Sequence, residues 1–272
     1  MEELENLKKT ILSEYPRLNK DDTFRFECGP HLECFNNCCR DVNIFLTPYD
    51  VLRMRKAIRM ESTRFLAEHT LVPFDKNQKL PVPLLKMQDT GEKRCPFVDT
   101  ETGCTIYNNR PWPCRIYPLG SASPGEKAGP DSEPFYFVLK EDFCKGHLKE
   151  KSWKVGEWVD DQGINEYAEF GELFKNITLH PSFATGKELN AKQIDMYWTA
   201  LYDLDKFRRF VFESSFLNRF DISDDEIAKL KSDDEELLKF GFKWIHMALF
   251  GEKSIPVKPD AIEQVKQKIK DK

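Results

Sequence analysis

The sequence predicts an α+β protein. A cysteine-rich half of loops and short strands carrying a metal site (residues 1–150) should pack against a helical half (residues 151–272). Three observations carry that expectation. All eight cysteines precede residue 145, and residues 145–272 contain none. The stretch 71–120 is punctuated by prolines, including Pro96, Pro111, Pro113 and Pro118, which interrupt both ladders and helices. From Val155 onward, apolar residues recur at helical spacing.

In chain order, Leu4, Leu7 and Ile11 form one stripe of a short amphipathic helix over the first fifteen residues. A loop-rich cysteine group follows, and "DVNIFLT" alternates as a strand does. Thr47 and Pro48 read as N-cap and first position of a helix through "PYDVLRMRKAI", and "STRFLAEH" reads as a second helix. "DTETG" is turn chemistry suited to a short hairpin between Cys95 and Cys104. "SASPGEKAGPDSEP" reads as a surface loop and "FYFVLK" as a strand. Three helical stretches follow: "EWVDDQGINEYAEFGELF", "KQIDMYWTALYDLDKFRRFVFESSF" and "DEELLKFGFKWIHMALFG". The second places Ile194, Tyr197, Trp198, Leu201, Leu204 and Phe207 on one face, an aromatic stripe suited to a core. "DISDDEIAKLKSDDEE" lacks the glycine and ligand rhythm of a calcium loop and reads as a solvated, capped segment.

Composition bounds the function. A net charge of −5 argues against a general nucleic-acid binder, which needs a basic face. No segment has the apolar length of a membrane span or a secretory signal, so the expected location is the cytoplasm, with no membrane partner; a protein partner is left open. Thiols stay reduced there, and dense cysteines read as metal ligands before disulfides. There is no glycine-rich phosphate loop, no G-x-S-x-G elbow and no H-E-x-x-H helix, so no familiar catalytic frame is present.

The cysteines fall into two groups and an outlier. Cys28, Cys34, Cys38 and Cys39 form the first group, Cys95, Cys104 and Cys114 the second, and Cys144 stands in "FCKGH". The adjacent pair Cys38–Cys39 is poorly placed to bridge itself. In an extended segment its two side chains would point opposite ways, toward different irons or different sites. Thiolates suit zinc or an iron–sulfur cluster and exclude magnesium and calcium. Structural zinc favours Cys-x2–4-Cys pairs, and only Cys34-x3-Cys38 has that spacing. Clusters tolerate irregular spacing because each iron takes one protein thiolate, so a 4Fe–4S cluster is expected, with zinc as the alternative. His31 and His147 stand near cysteines and read as loop histidines, with a ligand role as the less favoured option.

"CxxxCC", then "CPF…GCTIYNNRPWPCRIYP" and "CKG", resembles the CxxCxxCC family, also called YkgJ-type, whose members are described as zinc- or iron-chelating. The resemblance covers about residues 24–170. Its core elements are Cys104, Ile106, Tyr107, Arg110, Pro111, Cys114, Arg115, Tyr117 and Pro118, with Cys144 and Gly146 as the late element. The usual tight C-x-x-C-x-x-C-C is stretched here to Cys28-x5-Cys34-x3-Cys38-Cys39. All eight cysteines are therefore candidate metal ligands. Arg110 and Arg115 bracket Cys114 and are candidates to offset cluster charge and hydrogen-bond to sulfur. The resemblance extends to flagellin lysine N-methylases, which implies S-adenosylmethionine-dependent protein-lysine methylation or redox chemistry as roles for such a centre. A zinc-stabilised interaction module or a metal carrier is the non-catalytic alternative.

Overall fold

In the computed structural model, which describes residues 15–73, 79–122, 135–261 and 263, no described strand exceeds four residues. The strands pair as four separate two-stranded antiparallel sheets, and the longer described helices lie after residue 160. The mixed class expected from the sequence is the one observed. The helix expected at the N-terminus and most of the 121–134 loop lie outside the described residues. Among the described residues no helix is long and apolar enough to cross a membrane.

Contacts divide the chain into two compact units, one of residues 1–42 and 87–167, the other of 43–86 and 168–272. The cysteine distribution in the sequence marks a boundary near residue 150. Residues 43–86 fall in the second unit because the helices after Thr47 pack with the late helices of the chain.

In the first unit, strand Thr23–Arg25 pairs with Ser152–Lys154, and Leu119–Ala122 pairs with Phe135–Val138. The core between them contains Phe24, Phe26, Ile116, Leu119, Val155, Trp158, Val159 and Ile164. Trp158 meets Trp153 edge-on at 5.1 Å and donates its indole N–H to Ile116 O at 3.1 Å. Buried aromatic area of this kind is the main stabilisation available to so loop-rich a unit. "EWVDDQGINEYAEFGELF" is two helices, Val155–Asp161 and Ile164–Thr178, because Gly163 sits at φ 62° and turns the chain between them.

In the second unit, helix Pro48–Ala57 begins as the sequence indicates. Thr47 accepts from Asp50 N–H at 3.2 Å, and Asp50 accepts from Thr47 N–H at 2.8 Å, a reciprocal capping box. Helix Ser62–His69 follows. "DVNIFLT" keeps its alternation, with Ile44 and Leu46 buried and Phe45 exposed, and Phe45 pairs with Leu84 in an isolated bridge. The aromatic stripe is split over Ala191–Leu201 and Leu204–Glu213, where Asp203 caps the second helix. Tyr197, Leu201, Leu204 and Phe207 are buried, as core residues should be. Asp234–Phe250 is the longest helix described and packs along Ala191–Leu201.

Candidate metal centre

Both cysteine groups lie in the first unit, and backbone pairing sets their approach. Asn36, at φ 66°, turns the chain into a short 3-10 turn, Asn37–Cys39. Its side-chain amide donates to Asp99 O at 3.2 Å, tying this loop to the "DTETG" turn. That turn closes the expected hairpin. Val98–Asp99 pairs with Gly103–Cys104, and Asp99 accepts from Thr102 N–H at 2.7 Å and Glu101 N–H at 3.0 Å. Cys95 N–H donates to Cys39 O at 2.8 Å, so the two groups meet directly.

Cys28 and Cys144 are brought together by a close backbone crossing. Glu27 N–H donates to Gly146 O at 3.2 Å, and a Cβ at Gly146 would lie 2.4 Å from Glu27 O. Only glycine fits there. Beside the crossing, Lys145 N–H donates to the Cys34 sulfur at 3.2 Å. Cys28, Cys34, Cys38 and Cys144 all line one cavity of about 30 Å³, walled by Phe26 and Tyr117. Cys28 stays in this set despite its stretched spacing.

Cys38 is the link between the groups. It lines the cavity, and it also acts electrostatically on Cys95 and Cys104. The opposite-facing arrangement expected for Cys38 and Cys39 is not the one observed. In a 3-10 turn, successive side chains sit about 120° apart rather than on opposite faces. The Cys38 thiol hydrogen-bonds to Cys39, which with burial raises its pKa well above the usual thiol value.

Burial, and then the neighbouring Cys38, Cys34 and Cys144, pushes Cys28 up to about 11. Cys95 is likewise pushed up to about 11, by burial first and then by Cys104 and Cys38. Cys104 is raised by burial too, with Arg110 opposing. Crowded, desolvated thiols of this kind hold their protons until a cation replaces them. The eight cysteines form no disulfide.

Arg110 and Arg115 are both buried. Arg110 stacks on Tyr107 at 3.7 Å, donates to Tyr107 O at 2.6 Å and to Gln162, and lies in the field of Cys104 and Cys114. Arg115 donates to Asn108 O at 2.7 Å and to Gln162 O, so its guanidinium ties two loops together. Cys114 stands between them on the short helix Trp112–Ile116. Gln162, which serves both arginines, carried no signal in the sequence. His31 pairs with Glu27 at 3.2 Å and His147 packs on Phe26 at 5.3 Å; neither lines the cavity.

Residues 27–145 match the CxxCxxCC family, described as a "putative zinc- or iron-chelating domain". The matched span contains all eight cysteines, and metal binding through cysteines is the activity that this CxxCxxCC domain supports. No curated protein and no solved structure matches the chain. The donor set fits the description. Eight thiols, four of them on one cavity, suit soft or borderline metals and not hard ones.

Proposed function

We propose that the CxxCxxCC domain holds a 4Fe–4S cluster through Cys28, Cys34, Cys38 and Cys144, and that the cluster serves electron exchange. The supporting observation is that thiols from both ends of the matched span, Cys28, Cys34 and Cys38 with Cys144, line one cavity. Tetrahedral zinc, with Zn–S near 2.3 Å, draws its sulfurs to about 3.8 Å from one another. A cluster takes one thiolate per iron and keeps the protein sulfurs farther apart. When bound, it would supply one-electron redox chemistry. The chain's own residues would tune it: Arg110 offsets negative charge near Cys104 and Cys114, Lys145 N–H donates to the Cys34 sulfur, and Phe26 and Tyr117 limit water. S-adenosylmethionine-dependent lysine methylation is a separate reading: it moves a methyl group and a proton but no electrons, so the centre would there hold the fold and not exchange electrons.

A single zinc ion on the same four thiols is the second reading, and the size of the cavity favours it, since about 30 Å³ suits an ion better than a cluster. Purification without oxygen, with iron, acid-labile sulfide and zinc counted per chain, separates the two. Brown protein with about four irons and four sulfides is the expected result. Colourless protein with one zinc and no sulfide replaces the cluster by the second reading. Protein that takes up neither under loading conditions removes both.

A further inference from the structure

Three ligand atoms converge well outside the CxxCxxCC domain. His180, His246 and Glu252 bring one ligand atom each to within 4.8 Å of the others. His180 is the N-cap of the short helix Pro181–Ala184, and His246 lies in the last turn of Asp234–Phe250. Glu252 follows that helix, whose end is closed by Gly251 N–H donating to Met247 O at 2.9 Å. The glutamate stands between the imidazoles, with Oε1 3.0 Å from His180 Nε2 and Oε2 2.9 Å from His246 Nδ1. Phe250 fixes the rings: His180 stacks on it at 3.6 Å and 7°, and His246 meets it edge-on at 5.9 Å. The neighbouring cation, Lys187, is committed to Leu249 O.

We propose that His180, His246 and Glu252 form a second metal site, specific for a single divalent ion of the zinc type and independent of the cysteines. Two imidazole nitrogens and one carboxylate are the donor set of open zinc sites, which leave a fourth position to water. Around such an ion, with bonds near 2.1 Å, the nitrogen and oxygen donors stand about 3.4 Å apart, so the observed 2.9–3.0 Å needs only a small opening. His246 Nδ1 adds an independent reason. It is buried and faces Glu252 Oε2 at 2.9 Å, so a cation between the two would take the imidazole nitrogen and the carboxylate together. At His180, Ser182 N–H donates to Nδ1 at 3.2 Å, which places the ring proton on Nε2. Metal binding at Nε2 moves that proton to Nδ1 and gives up this one bond. Glu252 is about half exposed, so the ion reaches the site from solvent.

Titration of the full-length, reduced protein with Co2+ tests the site, because cobalt on thiolate gives intense near-ultraviolet charge-transfer bands and cobalt on nitrogen and oxygen does not. The wild-type chain is expected to bind one equivalent without those bands. Glu252→Gln and His246→Ala should each lose that equivalent and keep the thiolate bands. Circular dichroism of the metal-free variants checks that they fold. If either does not, His180→Ala, at the N-cap of a four-residue helix, carries the same test. Wild-type protein whose every bound cobalt shows the thiolate bands, or folded variants that bind as many ions as wild type, would overturn the proposal.

Discussion

At the residue scale the cysteines are unequal. Cys38 lines the cavity, bonds to Cys39 and acts on Cys95 and Cys104. Cys38→Ser should therefore abolish most metal binding, and Cys28→Ser should do nearly as much, whereas Cys114→Ser should keep at least half of the wild-type content by elemental analysis. Proton linkage supplies a second expectation. In the fold Cys28 and Cys95 are each pushed up to about 11 from 9.0 for an ordinary thiol, by burial and by the neighbouring cysteines. Above pH 9 the unfolded chain releases protons that the metal-free fold retains, so stability is full below that pH and falls as pH rises toward 11. Melts of metal-free protein should show that decline, and metal-loaded protein, whose ligands are already thiolates, should not. A flat metal-free profile would contradict the assigned burial. Arg115 donates to the carbonyls of Asn108 and Gln162. Arg115→Ala should cost about 3 kcal/mol by denaturant unfolding and leave metal content unchanged, and Arg115→Lys should recover only part because it lacks the planar fork.

At the element scale, the centre depends on two short connections, the Asn36 turn and the Gly146 crossing. A methyl group at Gly146 meets the backbone oxygen of Glu27, which no rotamer can relieve. Gly146→Ala should separate Cys28 and Cys144, reducing metal content several-fold and destabilising the unit by about 3 kcal/mol. A variant that loads metal as wild type does would show that Cys28 and Cys144 need not converge. Much of this scale is legible in the chain. Thr47-Pro48 marks a helix start, and "DTETG" marks a hairpin, because capping and turn chemistry are local. The 3-10 turn at Cys38–Cys39 is not, since Asn36 adopts its left-handed conformation in partnership with Asp99, sixty-three residues away.

At the scale of the whole molecule, the two units rest on different physics. The helical unit buries Tyr197, Leu201, Phe207, Leu238 and Phe242 and needs no metal to close its core. The cysteine unit has strands of at most four residues among its described part, and crowded thiols at its centre. Stripping the cysteine metal with a chelator should therefore raise amide exchange at least tenfold over residues 26–42 and 94–117 while leaving 197–211 and 237–249 protected. Hydrogen exchange by mass spectrometry measures this directly. Equal loss in both sets of segments would refute the assignment of metal-dependent stability to the first unit.

The sequence by itself determined the chemistry of the centre: soft thiolate donors, all before residue 145, in a motif long enough to mark the CxxCxxCC domain. It also determined the helix starts and the hairpin, which depend on neighbours within a few residues. Tertiary structure alone decided which thiols share a cavity, that Arg110 and Arg115 are buried on Gln162, and that residues 43–86 belong with the late helices. It alone placed His180 beside His246 and Glu252, three residues with no motif in common. Those outcomes depend on contacts between segments tens to more than a hundred residues apart, and one chain read linearly carries no record of which distant backbones will cross.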